Sequence, residues 1–247
     1  MKFYFCVFFL VAVCGLSVGI IREYIYAPHG KGVTWYGAQW LCRHYYRDLA
    51  TVSTAEEHQR IVNIANSYET SWIGLYKAYD YTNTWMWSDG EQASFFKWEY
   101  SWLSTDFYTR RCAVLSAGYW DSIDCDNKVK SYYCYRYLIL VNENKTWEEA
   151  LQYCATNYTG LASLTYKTQL FQAKKELALS QTVHVWTGLR FMDGKWFWLN
   201  GKAPETLASL PSCPARLYRC GALNITTSVW ENQDCNKKLN FLCYWNS

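Results

Sequence analysis

Two three-cysteine stretches constrain this chain more than anything else in it. The first, CAVLSAGYWDSIDCDNKVKSYYC, runs from Cys112 to Cys134, and the second, CGALNITTSVWENQDCNKKLNFLC, from Cys220 to Cys243. Each reads cysteine, short apolar strand, tryptophan with an acid, cysteine, basic turn, apolar strand, cysteine. Other matched features keep the same order around them: Cys42 with Cys154, Trp72 with Trp186, Trp87 with Trp198. The matched positions differ by 108 to 114 residues. One order at one offset means an internal duplication, and the period lies far above the roughly 20–50 residues of solenoid repeats. Each repeat is therefore a whole domain, and 247 residues suffice for two.

In the first repeat, Arg22 to Pro28 alternates as a strand does. Thr34 to Tyr46 carries Trp35, Ala38, Leu41, Cys42 and Tyr45 at helical spacing. Asp48 to Val52 is a short strand or connection. Ser53 to Asn66 reads as a second helix, with Ser53 and Glu56 as its capping box. Ser71 to Tyr76 is short and apolar enough for a buried strand, and Trp85 to Gly90 is a strand ending in a turn. Glu91 to Arg111 reads as a long aromatic loop. The order then restarts. Tyr137 to Val141 is a strand, Thr146 to Tyr158 a helix boxed by Thr146 and Glu149, and Thr165 to Leu179 the second helix. Val185 to Arg190 answers SWIGLY, and Trp196 to Gly201 answers WMWSDG. No Gly, Ser or Pro linker separates the repeats, so a short, stiff junction is expected.

Residues 1–19 read as a secretory signal: Lys2 at the start, an apolar centre from Phe3 to Val13, and the small exit Ser17-Val18-Gly19. The uncharged run continues to Ile21, long enough for a signal anchor, but Gly15 and Gly19 break it and favour cleavage. The expected product is secreted and extracellular, with no membrane attachment after cleavage. Of eleven cysteines, Cys6 and Cys14 leave with the signal. An odd number remains, and export makes disulfides the default for them. A net charge of +3 gives no ground for nucleic acid or an anionic membrane.

Each repeat resembles a C-type lectin-like domain. The carriers are Trp72-Ile73-Gly74-Leu75, Trp87-Ser88-Asp89-Gly90 and Cys42, Cys112, Cys125, Cys134. In the second repeat they are Trp186-Thr187-Gly188-Leu189, Trp198-Leu199-Asn200-Gly201 and Cys154, Cys220, Cys235, Cys243. The arrangement is similar to the tandem domains of mannose-receptor-type proteins, shortened to two. The resemblance implies an α+β fold in tandem, domain 1 over 20–136 and domain 2 over 137–247, each with two helices, small antiparallel sheets and a long loop region. Four cysteines allow three pairings. The family pattern selects Cys42–Cys134, Cys112–Cys125, Cys154–Cys243 and Cys220–Cys235. Cys213, framed by Pro211 and Pro214, is left over. It is open to three readings: a link to another chain giving a dimer, a buried or capped thiol, or a rival of Cys235 for Cys220.

Sugar-binding members of the family hold calcium under the long loop through a Glu-Pro-Asn or Gln-Pro-Asp tripeptide and a Trp-Asn-Asp. Calcium wants six to eight oxygens. Here the first tripeptide reads Gln92-Ala93-Ser94, and Trp-Asn-Asp becomes Trp120-Asp121-Ser122. In repeat two the counterparts are Ala203-Pro204-Glu205 and Trp230-Glu231-Asn232. Gln92, Ser94, Asp121 and Ser122 are degenerate calcium positions; Glu205, Glu231 and Asn232 are the weak candidates that remain. The expectation is no cofactor and no family-type calcium site. Asp121 and Glu231 also read as plain loop residues.

The frame still suits recognition, since function concentrates in loops on a rigid scaffold. Phe95, Phe96, Trp98, Tyr100, Trp102, Phe107 and Tyr108, interleaved with Lys97, Arg110 and Arg111, offer core rings and interface anchors. Sequons at Asn144, Asn157 and Asn224 all fall in repeat two, which leaves repeat one the freer face. Catalysis has no motif: His29, His44, His58 and His184 belong to none, and His44 and His58 read as surface helix residues. Asp121 with Asp124, or Glu231 with Asp234, lack a visible apolar pocket to part their pKa values. The expectation is a non-enzymatic binding module for an extracellular protein or glycan. Metal-free recognition of a protein leads, a lectin is the alternative, and a structural or decoy role is a third reading.

Overall fold

A computed structural model describes residues 19–64, 69–78, 84–99, 109–165, 167–204 and 209–246. Residues 1–18, all but the last of the expected signal segment over 1–19, lie outside them, as do Tyr100, Trp102, Phe107, Tyr108 and Glu205. The first repeat runs β1 (Gly19–Val33), α1 (Trp35–Tyr45), β2 (Asp48–Leu49), α2 (Ala55–Ile64), β3 (Ser71–Lys77), β4 (Trp85–Trp87), β5 (Arg110–Ser116) and β6 (Tyr119–Asp124). A single strand, β7 (Val129–Lys145), leads into the second repeat. There follow α3 (Trp147–Asn157), β8 (Gly160–Leu161), α4 (Lys167–Leu177), β9 (His184–Met192), β10 (Lys195–Trp198), β11 (Cys220–Asn224), β12 (Val229–Gln233) and β13 (Leu239–Trp245).

The duplication repeats bond for bond. Trp35 Nε1 donates to the Ile73 carbonyl at 2.9 Å, and Trp147 Nε1 to that of Thr187 at 2.9 Å. Trp72 Nε1 donates to Val33 and Trp186 Nε1 to Lys145. Gly74 and Gly188 are glycines for one reason: a Cβ at either would meet carbonyl oxygens of the preceding short strand at 3.1 and 3.0 Å. The disulfides are Cys42–Cys134, Cys112–Cys125, Cys154–Cys243 and Cys220–Cys235; Cys213 is free and exposed. Closing a loop between residues 92 apart contributes about 4 kcal/mol on the chain-entropy model.

The strands of both repeats belong to one 13-stranded network among the described residues, in the order β12-β11-β9-β13-β7-β3-β5-β6. The sequence boundary between residues 136 and 137 falls inside β7, so a strand stands where a short junction is expected. β1 runs antiparallel to β7 across that boundary, from Gly19 opposite Leu140 to Val33 opposite Val129. Glu23 and Arg136 face each other in this ladder and form a buried ion pair. Arg136 also donates to the Ser163 carbonyl and lies 4.7 Å from the Tyr244 ring centroid. The Gln172 side chain of α4 bonds both the amide and the carbonyl of Tyr24, as a neighbouring strand would. Arg60 of α2 meets Glu176 of α4 at 2.8 Å, and Lys175 meets Glu56 at 2.8 Å.

Three local expectations are corrected. The side chain that caps α2 is Thr54, whose Oγ1 accepts from the Glu57 amide; Glu57 in turn accepts from the Ser53 amide, one residue before the cap, and pairs with Arg22, so no reciprocal Ser53–Glu56 box forms. Tyr45, assigned to the apolar stripe of α1, is 60% exposed. Only Trp35, Ala38 and Cys42 of that helix are buried, since the disulfide at Cys42 fixes the inward face. His58 is buried rather than on the surface, packed 6.1 Å from Phe95 and 5.9 Å from Trp120 between ring centroids. Burial first, then Lys97, holds its pKa below the ordinary value.

Candidate functional site

In repeat one the β5–β6 hairpin sets Arg110 opposite Asp124. From there its guanidinium reaches back along β6. Nε donates to the Ser122 carbonyl at 2.7 Å, and Nη2 approaches Asp121 Oδ1 at 3.4 Å. Ser122 Oγ returns a bond to the Arg110 carbonyl at 3.1 Å. Burial raises the Asp121 pKa, and the positive charge of Arg110 opposes that shift. Gln92 and Ser94 are exposed and make no hydrogen bond to Asp121 or Ser122 among the described residues. The acids of the preceding turn hold the fold together. Asp89 accepts from Thr51 Oγ1 and from the Tyr135 hydroxyl, each at 2.7 Å, and Glu91 pairs with Arg22 and Ser53.

In repeat two Glu231 is held from three sides. His184 Nε2 lies 2.9 Å from Oε2, Asn224 Nδ2 donates to Oε1 at 2.9 Å, and Gln233 Nε2 reaches Oε2 at 3.5 Å. These bonds, the one to His184 foremost, lower its pKa from the ordinary carboxylate value. Asn232 points its amide at the Tyr218 carbonyl, at 3.3 Å, and does not join Glu231. Glu205 lies outside the described residues. Sequence spacing alone carries no signal for Arg110, His184 or Asn224; each arrives through strand pairing.

The aromatic loop divides in two. Lys97 and Glu99 bond the backbone of Trp120, so this segment forms an edge beside β6. Phe95 packs on Trp120, and Trp98 packs on Trp85 and Trp120. Phe96 is exposed and stacked on Trp98, and Lys97 lies over the exposed ring of Tyr119. Helix α1 presents exposed Tyr36 and Trp40, with Trp40 stacked on His44 at 5.3 Å. Tyr36 and Trp40 fall outside the apolar stripe read from the sequence, whereas periodicity gives no mark for Phe96 and Tyr119. Of the sequon asparagines, Asn144 and Asn157 are exposed, while Asn224 is half-buried with its amide nitrogen on Glu231.

Among the described residues, no helix is long and apolar enough to cross a membrane. A model of the Lectin C-type domain matches residues 31–136 and again residues 143–245. Lectin BRA-3 of Megabalanus rosa is 33% identical over 106 residues, 39% of this chain and 63% of that protein. The secretory phospholipase A2 receptor of Pongo abelii is 24% identical over 280 residues, which takes in 90% of this chain and 19% of the receptor. The chain thus spans less than two thirds of the length of either relative. The mouse scavenger receptor C-type lectin carbohydrate-recognition domain superposes with a TM-score of 0.39 at 24% identity, over 46% of this chain and 89% of that domain. With both repeats matched, and with the paired disulfides and WIGL-type strand present twice, this chain belongs to the C-type lectin domain family.

Proposed function

We propose that this is a secreted binding protein of the lectin-like kind that recognises an extracellular protein without calcium and carries out no catalysis. Arg110 carries the reading. The carboxylate that survives at the family's calcium position in repeat one already faces a cation of the protein's own. A hard divalent ion needs six to eight oxygens, and the neighbours Gln92, Ser94 and Ser122 bring none that is charged. In repeat two the Glu231 oxygens are taken by His184, Asn224 and Gln233. The described residues at these positions do not fit the ion.

The alignment through both repeats to a receptor supports a receptor-like tandem, and the mannose-receptor type is part of the proposal. Glycans at Asn144 and Asn157, and a dimer joined through exposed Cys213, belong to the same proposal. A non-reducing gel showing monomer alone would sink the dimer. The alternative is metal-free stacking of a sugar on Phe96 and Tyr119, the exposed rings beside Lys97.

Calcium titration by calorimetry, with melting in chelator, tests the main reading. The expected result is no heat at millimolar calcium and an unchanged melt, since an ion bound only by the folded form would raise its stability. A one-site signal abolished by Glu231→Gln would refute it. Metal-independent glycan binding lost in Phe96→Ala would favour the alternative.

A further inference from the structure

Repeat two carries a concavity of about 310 Å³ at the end of β9 away from His184. It lies beside the Cys220–Cys235 disulfide. Three guanidiniums line it, Arg190, Arg216 and Arg219, against one carboxylate, Glu148. Arg190 is fixed: it lies 4.4 Å from the Trp147 ring centroid and pairs with Glu148 at 2.9 Å. Arg219 is half-buried over the Phe191 ring at 5.7 Å, and its Nε finds no partner. Arg216 is exposed on the short 3-10 turn Arg216–Tyr218 and makes no ion pair among the described residues. Leu217 and Met192, 55% and 49% exposed, add apolar surface.

We propose that this concavity docks an acidic segment of a partner protein, in which a carboxylate side chain sits next to an apolar one. The proposal rests on the reading of the chain as a protein-binding module. The lining has an excess of two positive charges, and the planar fork of arginine matches a carboxylate through two parallel bonds. Two of the three forks are pre-set by stacking on Trp147 and Phe191, so little side-chain freedom is lost on binding. The apolar rim selects a peptide over a sulfated polysaccharide, whose contacts call for a run of cations along a polar surface. Among the described residues the feature belongs to repeat two alone. The matched positions in repeat one place Tyr36 for Glu148 and Tyr76 for Arg190, and Arg111, the match of Arg219, is turned onto the carbonyls of Lys77 and Ala78.

The probe is a fluorescein-labelled Leu-Asp-Glu-Leu peptide flanked by glycines, beside its Asn-Gln counterpart, titrated onto the whole secreted chain in chelator and in calcium. The acidic peptide should bind at least tenfold tighter than the amide one and weaken as salt rises. Arg216→Glu, on an exposed turn, should cut its affinity at least fivefold with the melt unchanged; Arg219→Gln should act in the same direction. Equal binding of the two peptides, or an affinity untouched by Arg216→Glu, would overturn the site. A heparin hexasaccharide that binds tighter than the peptide and is lost in the same variant would reassign the site to glycans and likewise overturn the proposal. Peptide binding that requires calcium and is lost in Arg216→Glu would uphold the site and refute the metal-free reading instead.

Discussion

Replacing Glu23 by Gln keeps the shape of the side chain and removes its charge. The carboxylate is fully buried and its partner Arg136 is 11% exposed, so water does little to screen either. The amide oxygen can still accept a bond from the guanidinium, which also keeps the Ser163 carbonyl at 3.3 Å and the face of Tyr244, but no charge opposes it in the buried site. Breaking a buried pair from one side costs about 3–5 kcal/mol. For a chain of this size each kcal/mol moves the melting point by about 2–4 °C, which gives a fall of roughly 6–20 °C. Because the pair sits on the ladder shared by the repeats, both should still unfold in one transition, at the lower temperature. Scanning calorimetry with tryptophan fluorescence reads both quantities. The double variant Glu23→Leu with Arg136→Met should recover most of the loss, since an apolar pair can replace a buried ion pair. A loss under about 1 kcal/mol, the worth of an exposed pair, would refute the argument that the contact is desolvated.

Gly188→Ala should destabilise by about 1–3 kcal/mol, because the new Cβ would stand 3.0 Å from the Leu161 carbonyl; denaturant unfolding reads it, and a neutral result would mean the two strands can part. Acid should act in two steps. His58 has a lowered pKa in the fold, so its contribution is present above its ordinary value of 6.5 and is lost as pH falls below it. Glu231, also lowered, contributes above 4.5 and loses that contribution as pH falls further. Melting points from pH 8 to 3 should show both losses, and Glu231→Gln should shrink the lower one, which Glu56 and Glu149 share, and leave the upper one in place. Loss of the upper step in that variant would contradict the assignment.

The repeat is legible because its motifs recur in one order at one offset, and the helix start at Thr146 with Glu149 because it rests on neighbours three residues apart. The α2 cap is misread by one position. Two acids follow Ser53, and the choice of Glu57 depends on Arg22, which lies 35 residues away in sequence. His58 sits at a helical spacing that suits either face, and only the packing of Phe95 and Trp120 decides. The site positions could be found from the tryptophan motifs, but not what surrounds them. Arg110 reaches Asp121 across a hairpin, and His184 reaches Glu231 from a different strand. A pairing set by register leaves no local mark, and the same holds for Glu23 and Arg136, 113 residues apart.

Because β7 is at once the closing strand of one repeat and the opening strand of the next, the separation of the two recognition faces is a property of a pleated ladder rather than of a tether. A flexible linker gives a second binding event an effective concentration that falls slowly with length. Here that concentration has a sharp optimum. A partner whose two epitopes match the span of the ladder gains avidity with little loss of chain freedom, and one whose epitopes are spaced otherwise gains none.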